Sequence, residues 1–218
     1  MIPWNRLGVL PSLLLALVPA LAHARQTEVQ TELLVIPAPP PPVNGSEVNH
    51  NFWVGGTVAL SKDWAFVADY ATANALGEVY VYRRTSTGWV SHQKLQGDLG
   101  SGFGAALSVD GITLVVGAFI WNDLAGRVYV FGLREGMWIL QQELFAPGVP
   151  DSEKAHFGFS VAVEGEVLAI GALGVDHPVD LSGAVFIYER TVGRFEPVAR
   201  FHLPPLRDVL NGTISRLG

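Results

Sequence analysis

The apolar positions of the chain follow one alternating pattern that occurs three times. Each copy has a glycine followed by β-branched and aromatic residues, preceded by two shorter apolar runs. The matching segments are residues 77–82, 126–131 and 183–188, residues 65–68, 114–117 and 168–171, and residues 58–60, 107–109 and 161–163. Because several separate blocks hold one register, the pattern indicates a structural repeat of roughly 50 residues.

Each copy contains four short runs of the kind that form β-strands. In the second copy the runs are Ala105–Val109, Thr113–Ala118, Arg127–Phe131 and Trp138–Phe145. Asp110-Gly111 lies between the first two runs, where glycine suits a tight hairpin turn. Four antiparallel strands per repeat predict an all-β fold of β-propeller-type blades, about three in number, in an open or partial propeller.

Three aromatic residues stand at one equivalent place in the copies: Trp89, Trp138 and Phe195. Their shared position predicts packing between blades rather than a sugar-binding stripe. Closed propellers usually have four to eight blades, so three blades leave apolar faces and strand edges without partners. Self-association, a partner chain, or further blades missing from a truncated product would each resolve this.

The segments outside the repeat predict an exported protein. Residues 1–24 contain an apolar run from Leu7 to Leu21 and an Ala22-His23-Ala24 cleavage pattern, as in a secretory signal peptide. Residues 25–50 hold an N-terminal strand and a proline-rich linker, in which five of six residues from 37 to 42 are proline. The blades follow at about 51–99, 100–153 and 154–203, and then a C-terminal tail at 204–218. The predicted location is secreted or in the cell envelope or periplasm.

Composition narrows the classes of partner and chemistry. The 218 residues carry a net charge of −6 and contain no cysteine. The absence of cysteine excludes disulfides, thiolate metal sites and a cysteine nucleophile. Without a basic run, nucleic acid is not an expected partner. No second long apolar stretch follows the signal, so we expect no transmembrane segment in the mature chain.

The residues that open the second and third copies resemble the FG-GAP repeat. Phe103-Gly104 and Phe157-Gly158 are each followed by a strand and then by Val-Val-Gly-Ala (115–118) or Ala-Ile-Gly-Ala (169–172). The resemblance covers about residues 51–202, and the first copy departs from it with Val54-Gly55. It implies the propeller of integrin α-subunits and of many secreted bacterial proteins. Members of this family often bind calcium between the first two strands, but no such loop here supplies three carboxylates, so we expect no cofactor.

Alternating strand direction places the long connections on one face of the blades. Loops on a rigid scaffold commonly bind ligands, and the resemblance implies that this face carries the ligand in integrin propellers. The candidate contacts are the polar and aromatic residues of these loops: Tyr70, Trp121, Asn122, Asp123, Asp176, His177 and Asp180. Two alternatives are that these are ordinary solvated residues, or that Asp176, His177 and Asp180 hold a metal.

The sequence lacks the motifs of the common enzyme classes, including His-Glu-x-x-His, Gly-x-Ser-x-Gly and the phosphate-binding loop. We therefore expect a non-enzymatic binding or adhesion module that contacts a protein or glycan through its long loops. Two alternatives remain open. One is an accessory propeller domain or truncated fragment of an extracellular hydrolase or larger propeller protein, and the other is a structural envelope component.

Overall fold

Three four-stranded antiparallel sheets make up the fold, and each is a simple meander of neighbouring strands. The computed structural model describes residues 54–70, 77–150, 154–175 and 183–202, all within the compact unit Ile36–Gly218. The predicted signal peptide, N-terminal strand, proline-rich linker and C-terminal tail lie outside the described residues. No helix in the described ranges is long and apolar enough to cross a membrane.

The three sheets correspond to the three sequence copies, and we call them blades 1, 2 and 3. Blade 1 contains β1 (Val58–Ser61), β2 (Trp64–Asp69), β3 (Glu78–Thr85) and β4 (Gly88–Gln96). Blade 2 contains β5 (Ala106–Asp110), β6 (Thr113–Ala118), β7 (Arg127–Arg134) and β8 (Met137–Leu144), with a four-residue turn, α1 (Trp121–Leu124), whose inner residues are not in a right-handed helical conformation, between β6 and β7. Blade 3 contains β9 (Phe157–Glu164), β10 (Val167–Ala172), β11 (Ala184–Thr191) and β12 (Arg194–Phe201). The predicted all-β fold with three propeller-type blades is confirmed.

The turns also follow the predicted pattern. The first-to-second hairpins contain two residues each, because Ser61 pairs with Trp64, and equivalent pairs close the turns in blades 2 and 3. The third-to-fourth hairpins are equally short in all three blades. A bulge interrupts the third-to-fourth pairing at one equivalent place: after Val81, after Val130 and after Ile187. Because the bulge recurs at the equivalent place, the three blades are copies of the same structural unit.

Each blade buries both of its faces only where it has a neighbour on each side. We call the face toward the preceding blade the leading face and the face toward the following blade the trailing face. In β6, Leu114 and Val116 point from the leading face into a core shared with blade 1. Val115, between them, points from the trailing face into a core shared with blade 3. All six residues of β6 are therefore buried, as expected for a strand between two packed layers.

The predicted aromatic contact between blades is present at two of its three positions. Trp138 is buried and meets the rings of Trp64 and Phe66 of blade 1 edge-on, at centroid distances of 5.7 and 5.1 Å. Phe195 of blade 3 is buried in the core shared with blade 2. Trp89, the equivalent residue of blade 1, is only half-buried. Its leading face has no blade before it in the described residues.

A glutamine side chain of the preceding blade binds the backbone of Trp138 and another binds that of Phe195, and we call this contact the amide clasp. The Gln93 amide accepts a hydrogen bond from the backbone N–H of Trp138 and donates one to the carbonyl of the same residue, both at 2.9 Å. Gln142 makes the same two bonds, also at 2.9 Å, to Phe195. These backbone N–H and carbonyl groups lie on outer strands, and without the glutamine of the preceding blade they would have no hydrogen-bond partner there.

The Phe-Gly motifs form a second contact between neighbouring blades. The backbone of Phe157 lies against Gly126 of the preceding blade, where an added Cβ would lie 2.2 Å from the Phe157 carbonyl oxygen. Phe103 lies in the same way against Gly77. The two rings are fully buried and pack on their own blades, Phe103 against Tyr129 and Phe157 against Phe186. The repeated glycine is therefore required because the next blade occupies the space of its side chain.

Replacing the repeated glycine should separate this contact from backbone strain. Gly126 and Gly183 have similar positive φ angles, 84° and 70°, but an added Cβ at Gly183 would approach no atom closer than 3.4 Å. Gly183→Ala should therefore cost about 1–2 kcal/mol from the left-handed backbone alone. Gly126→Ala should cost at least about 2 kcal/mol more in urea unfolding, since the blades must shift. Equal losses would show that the contact between blades does not require glycine.

Candidate binding face

The connections after the second and fourth strands meet at one end of the sheets. The Ile120 N–H donates to the Ser101 carbonyl at 3.1 Å, which joins the loop after β6 to the loop after β4. The His156 N–H donates to the Leu124 carbonyl at 2.7 Å, which joins the loop after β6 to the loop after β8. The three loops thus form one continuous surface. We call it the long-loop face, and its described part comprises residues 97–105, 119–126, 145–150 and 154–156.

The backbone of this face is strained where two of its loops meet. Asn122, Asp123 and Leu124 have consecutive positive φ angles of 49°, 55° and 76°. Asn and Asp tolerate this conformation, whereas it is uncommon for a residue such as leucine. His156, which bonds to Leu124, also has a positive φ, 53°. Residues held in such conformations concentrate at binding and catalytic sites, so this junction is a candidate site.

A largely buried arginine organises the side chains beneath the junction. The Arg127 guanidinium carbon lies 3.9 Å from the ring centroid of Trp121 and 5.1 Å from that of Phe145. Its Nη1 atom contacts Asp98 Oδ2 at 2.9 Å and Glu143 Oε2 at 3.1 Å. Only 12% of the Arg127 side chain is exposed, so the cation–π contact is largely shielded from water. Arg127 therefore ties the loops of blades 1 and 2 together.

Blade 1 has its own charged cluster at the same end of the sheet, centred on Glu78. Glu78 Oε1 accepts hydrogen bonds from Lys94 Nζ at 2.8 Å and from Gln96 Nε2 at 2.7 Å, and Oε2 accepts one from the Tyr80 hydroxyl at 2.6 Å. Burial raises the pKa of Glu78, but the hydrogen bonds from Lys94, Tyr80 and Gln96 outweigh it, so the pKa lies below its usual value. Burial, together with the neighbouring Glu78 carboxylate, raises the pKa of Tyr80.

The clusters of blades 1 and 2 are the same ion pair with its charges exchanged. Glu78 and Arg127 each follow the repeated glycine, and their partners Lys94 and Glu143 each follow the clasping glutamine. Alanine takes the first of these positions in blade 3, as Ala184. The repeat therefore supplies a fixed scaffold on which one pair of positions carries a different charge in each blade.

The predicted site residues have different outcomes. Trp121 lies at the junction but is half-buried, because it stacks on Arg127. Asn122 and Asp123 are exposed there, and Asp123 Oδ1 accepts a hydrogen bond from Lys154 Nζ at 3.3 Å. Tyr70 is half-buried at the end of β2. The other predicted contacts, Asp176, His177 and Asp180, lie outside the described residues, and with them the predicted metal alternative.

Sequence reasoning missed the residues that hold the face together. Arg127 and Glu143 were not candidates because they lie on strands, where a charged side chain is unremarkable, and Asp98 in the loop after β4 was not singled out from its neighbours. One signal was available: Glu78 and Arg127 both stand directly after the repeated glycine, at the start of a run of apolar residues. Among the described residues, no three His, Cys, Asp or Glu side chains converge in a way that could hold a metal ion.

The Glu78 cluster should make the fold sensitive to acid. A carboxyl whose pKa is lowered on folding stabilises the protein fully above its unfolded pKa, near 4.5, and loses this contribution as the pH falls through the folded pKa. Glu78→Gln should therefore reduce the free energy of unfolding most above pH about 5, and the difference from wild type should shrink below pH about 4. Tyr80→Phe, which removes one of the three donors, should show the same trend with smaller amplitude. Urea unfolding from pH 3 to 7 measures both, and a difference that does not change with pH would contradict the assignment.

Residues 138–188 match the family model of the FG-GAP repeat. The match runs from Trp138 in β8 to Tyr188 in β11, so it joins the outer strand of blade 2 to the first three strands of blade 3 and includes Phe157-Gly158. None of the curated proteins compared matches the chain. One similar solved structure is an S. cerevisiae complex described as dbp5 bound to nup159, gle1, ip6 and adp, with 13% identity and a TM-score of 0.33 over 65% of this chain and 46% of that chain. That likeness is too loose to support an argument. The resemblance seen in the sequence is nevertheless confirmed: the chain contains an FG-GAP repeat, set among three propeller-type blades.

Proposed function

We propose that this protein is an exported, non-enzymatic binding module that contacts a protein or glycan through its long-loop face. The observation that carries the proposal is the exposed turn at Asn122 and Asp123. This turn has a left-handed backbone and is anchored on both sides, by the bonds from Ile120 to Ser101 and from His156 to Leu124. A loop that is already ordered loses little entropy when a ligand binds, which favours affinity.

The chemistry of the turn favours a polar ligand. The Asp123 and Lys154 side chains are 84% and 58% exposed, so their ion pair can open at little cost and offer both charges to a ligand. Asn122 adds an amide with two donors and an acceptor. Beneath them, Trp121 and Arg127 form a fixed aromatic and cationic floor. Hydrogen-bonding side chains around an aromatic residue suit a glycan or a polar protein epitope.

The proposal includes export, no catalytic step and no cofactor. Export is supported by the signal-peptide pattern of residues 1–24. A binding rather than catalytic role is supported by the absence of common catalytic motifs from the sequence. The hairpins after the first strands contain only two residues each, at Lys62-Asp63, Gly111-Ile112 and Gly165-Glu166, which is short for a calcium-binding loop.

Alanine variants at the turn test the proposal. Asn122→Ala combined with Asp123→Ala should weaken binding about tenfold or more to any ligand found on a printed glycan array or on a panel of extracellular-matrix proteins. The matched control is Glu135→Ala combined with Met137→Ala, at an exposed hairpin on the opposite end of the same blade. It should bind like wild type. Equal binding by both double variants, or loss of binding only in the control, would contradict the assignment to the long-loop face.

A further inference from the structure

The leading face of blade 1 exposes apolar residues that are covered in the other blades. Val58 and Leu60 of β1 are 63% and 70% exposed. Their equivalents in blade 2, Leu107 and Val109, pack against the core shared with blade 1. In blade 3 the equivalent of Leu60 is Val163, which is only 8% exposed. Blade 1 therefore carries the same docking face as its neighbours without a blade against it in the described residues.

The trailing face of blade 3 is exposed in the complementary way. Val185 and Phe201, which pair across β11 and β12, are 41% and 60% exposed. The equivalent pairs in the other blades are no more than 6% exposed: Val79 with Leu95, and Val128 with Leu144. An added Cβ at Gly183 would meet only atoms of blade 3 and its own loop, Ala172 and Leu173, at 3.4 Å or more, whereas at Gly126 the next blade fills the space of the side chain. The two ends of the array are thus the two halves of one type of interface.

Charge at the inner hairpins supports a specific match between these ends. Where blades 2 and 3 meet, Asp110 Oδ2 accepts a hydrogen bond from the Gly165 N–H at 2.6 Å. The blade 3 equivalent of Asp110 is Glu164, and the blade 1 equivalent of Gly165 is Lys62. If blade 3 of one array packed against the leading face of blade 1 of another, as blade 2 packs against blade 3, the exposed Glu164 carboxylate would lie beside Lys62. The contact would then keep its acceptor and gain an opposite charge.

We propose that a second copy of this chain occupies these faces, with blade 3 of each copy packed on blade 1 of the other and Glu164 beside Lys62. Two copies joined in this way have six blades, within the four to eight found in closed propellers. Both contacts are equivalent and the ring closes, so the assembly stops at two copies. This inference concerns the ends of the array and does not rest on the proposed ligand-binding function.

The amide clasp, which is present at both contacts between blades within the chain, is missing where blade 3 of one copy meets blade 1 of the other. The position of Gln93 and Gln142 is Ala199 in blade 3, as the pairing of Ile187 with Ala199 shows. Blade 3 therefore cannot form the amide clasp with the backbone of Trp89. The contact between copies should be weaker than the contacts within the chain, so the dimer should dissociate on dilution.

Sedimentation of the full chain at a series of concentrations tests the proposal. We expect a reversible equilibrium between the chain mass and twice that mass. Ala199→Gln, which supplies the missing clasp, should tighten the dimer about tenfold. Lys62→Glu and Glu164→Lys should each weaken it about tenfold or more, because each places like charges together at both junctions. An equimolar mixture of the two charge variants should recover the dimer, because one junction then keeps the original pair and the other carries that pair with its charges exchanged.

The mixture also controls for misfolding, since a variant that failed to fold would not be rescued. A chain that stays monomeric at every concentration would overturn the proposal and indicate that another segment of the chain or another protein covers these faces. A dimer whose dissociation constant is the same in all the variants would overturn the assigned interface. So would charge variants that remain dissociated when they are mixed. Assemblies larger than two copies would overturn the closed six-bladed ring.

Discussion

The contact between neighbouring blades is the interaction on which the rest of this structure depends. A single four-stranded sheet has two apolar faces and no core of its own, so a blade becomes stable only when other blades cover it. Here three features repeat at each junction: an amide clasp, a buried aromatic residue beside it, and a Phe-Gly backbone pressed against a glycine. The clasp is polar and directional, so it fixes the register of the blades where apolar packing alone would allow sliding.

The same contact positions the long-loop face. In blades 2 and 3 the Phe-Gly segments bring the start of the blade against the preceding blade, and backbone hydrogen bonds then hold the loop after β6 to its neighbours. The ion pair beside each clasp exchanges its charges between blades 1 and 2 without disturbing the strands. A repeated frame with exchangeable residues at one end suits a binding module, since the frame supplies the stability and the loops supply the chemistry.

Much of the fold could be predicted because the same weak strand pattern occurs in three copies, and agreement among the copies makes it specific. The strands of blade 2 are predicted to within a few residues, since alternation and the glycine-containing turns agree in every copy. The clasp was not predicted, because a glutamine on an outer strand looks solvent-exposed until the next blade is placed. Trp121 was predicted as a ligand contact, yet its ring stacks on Arg127 from a different element, a contact that depends on loop conformation rather than on spacing. The exposed neighbours Asn122 and Asp123 remain candidates because their exposure follows from the turn itself.

Hydrogen exchange of the backbone amides tests the central role of the clasp most directly. In the wild-type chain the amides of Trp138 and Phe195, which donate to Gln93 and Gln142, should exchange slowly although they lie on outer strands. Gln93→Leu should accelerate exchange at Trp138 by an order of magnitude or more, about the effect of losing one buried hydrogen bond, and leave Phe195 slow. Unchanged protection at Trp138 in this variant would show that apolar packing alone holds the blades together and would contradict the account.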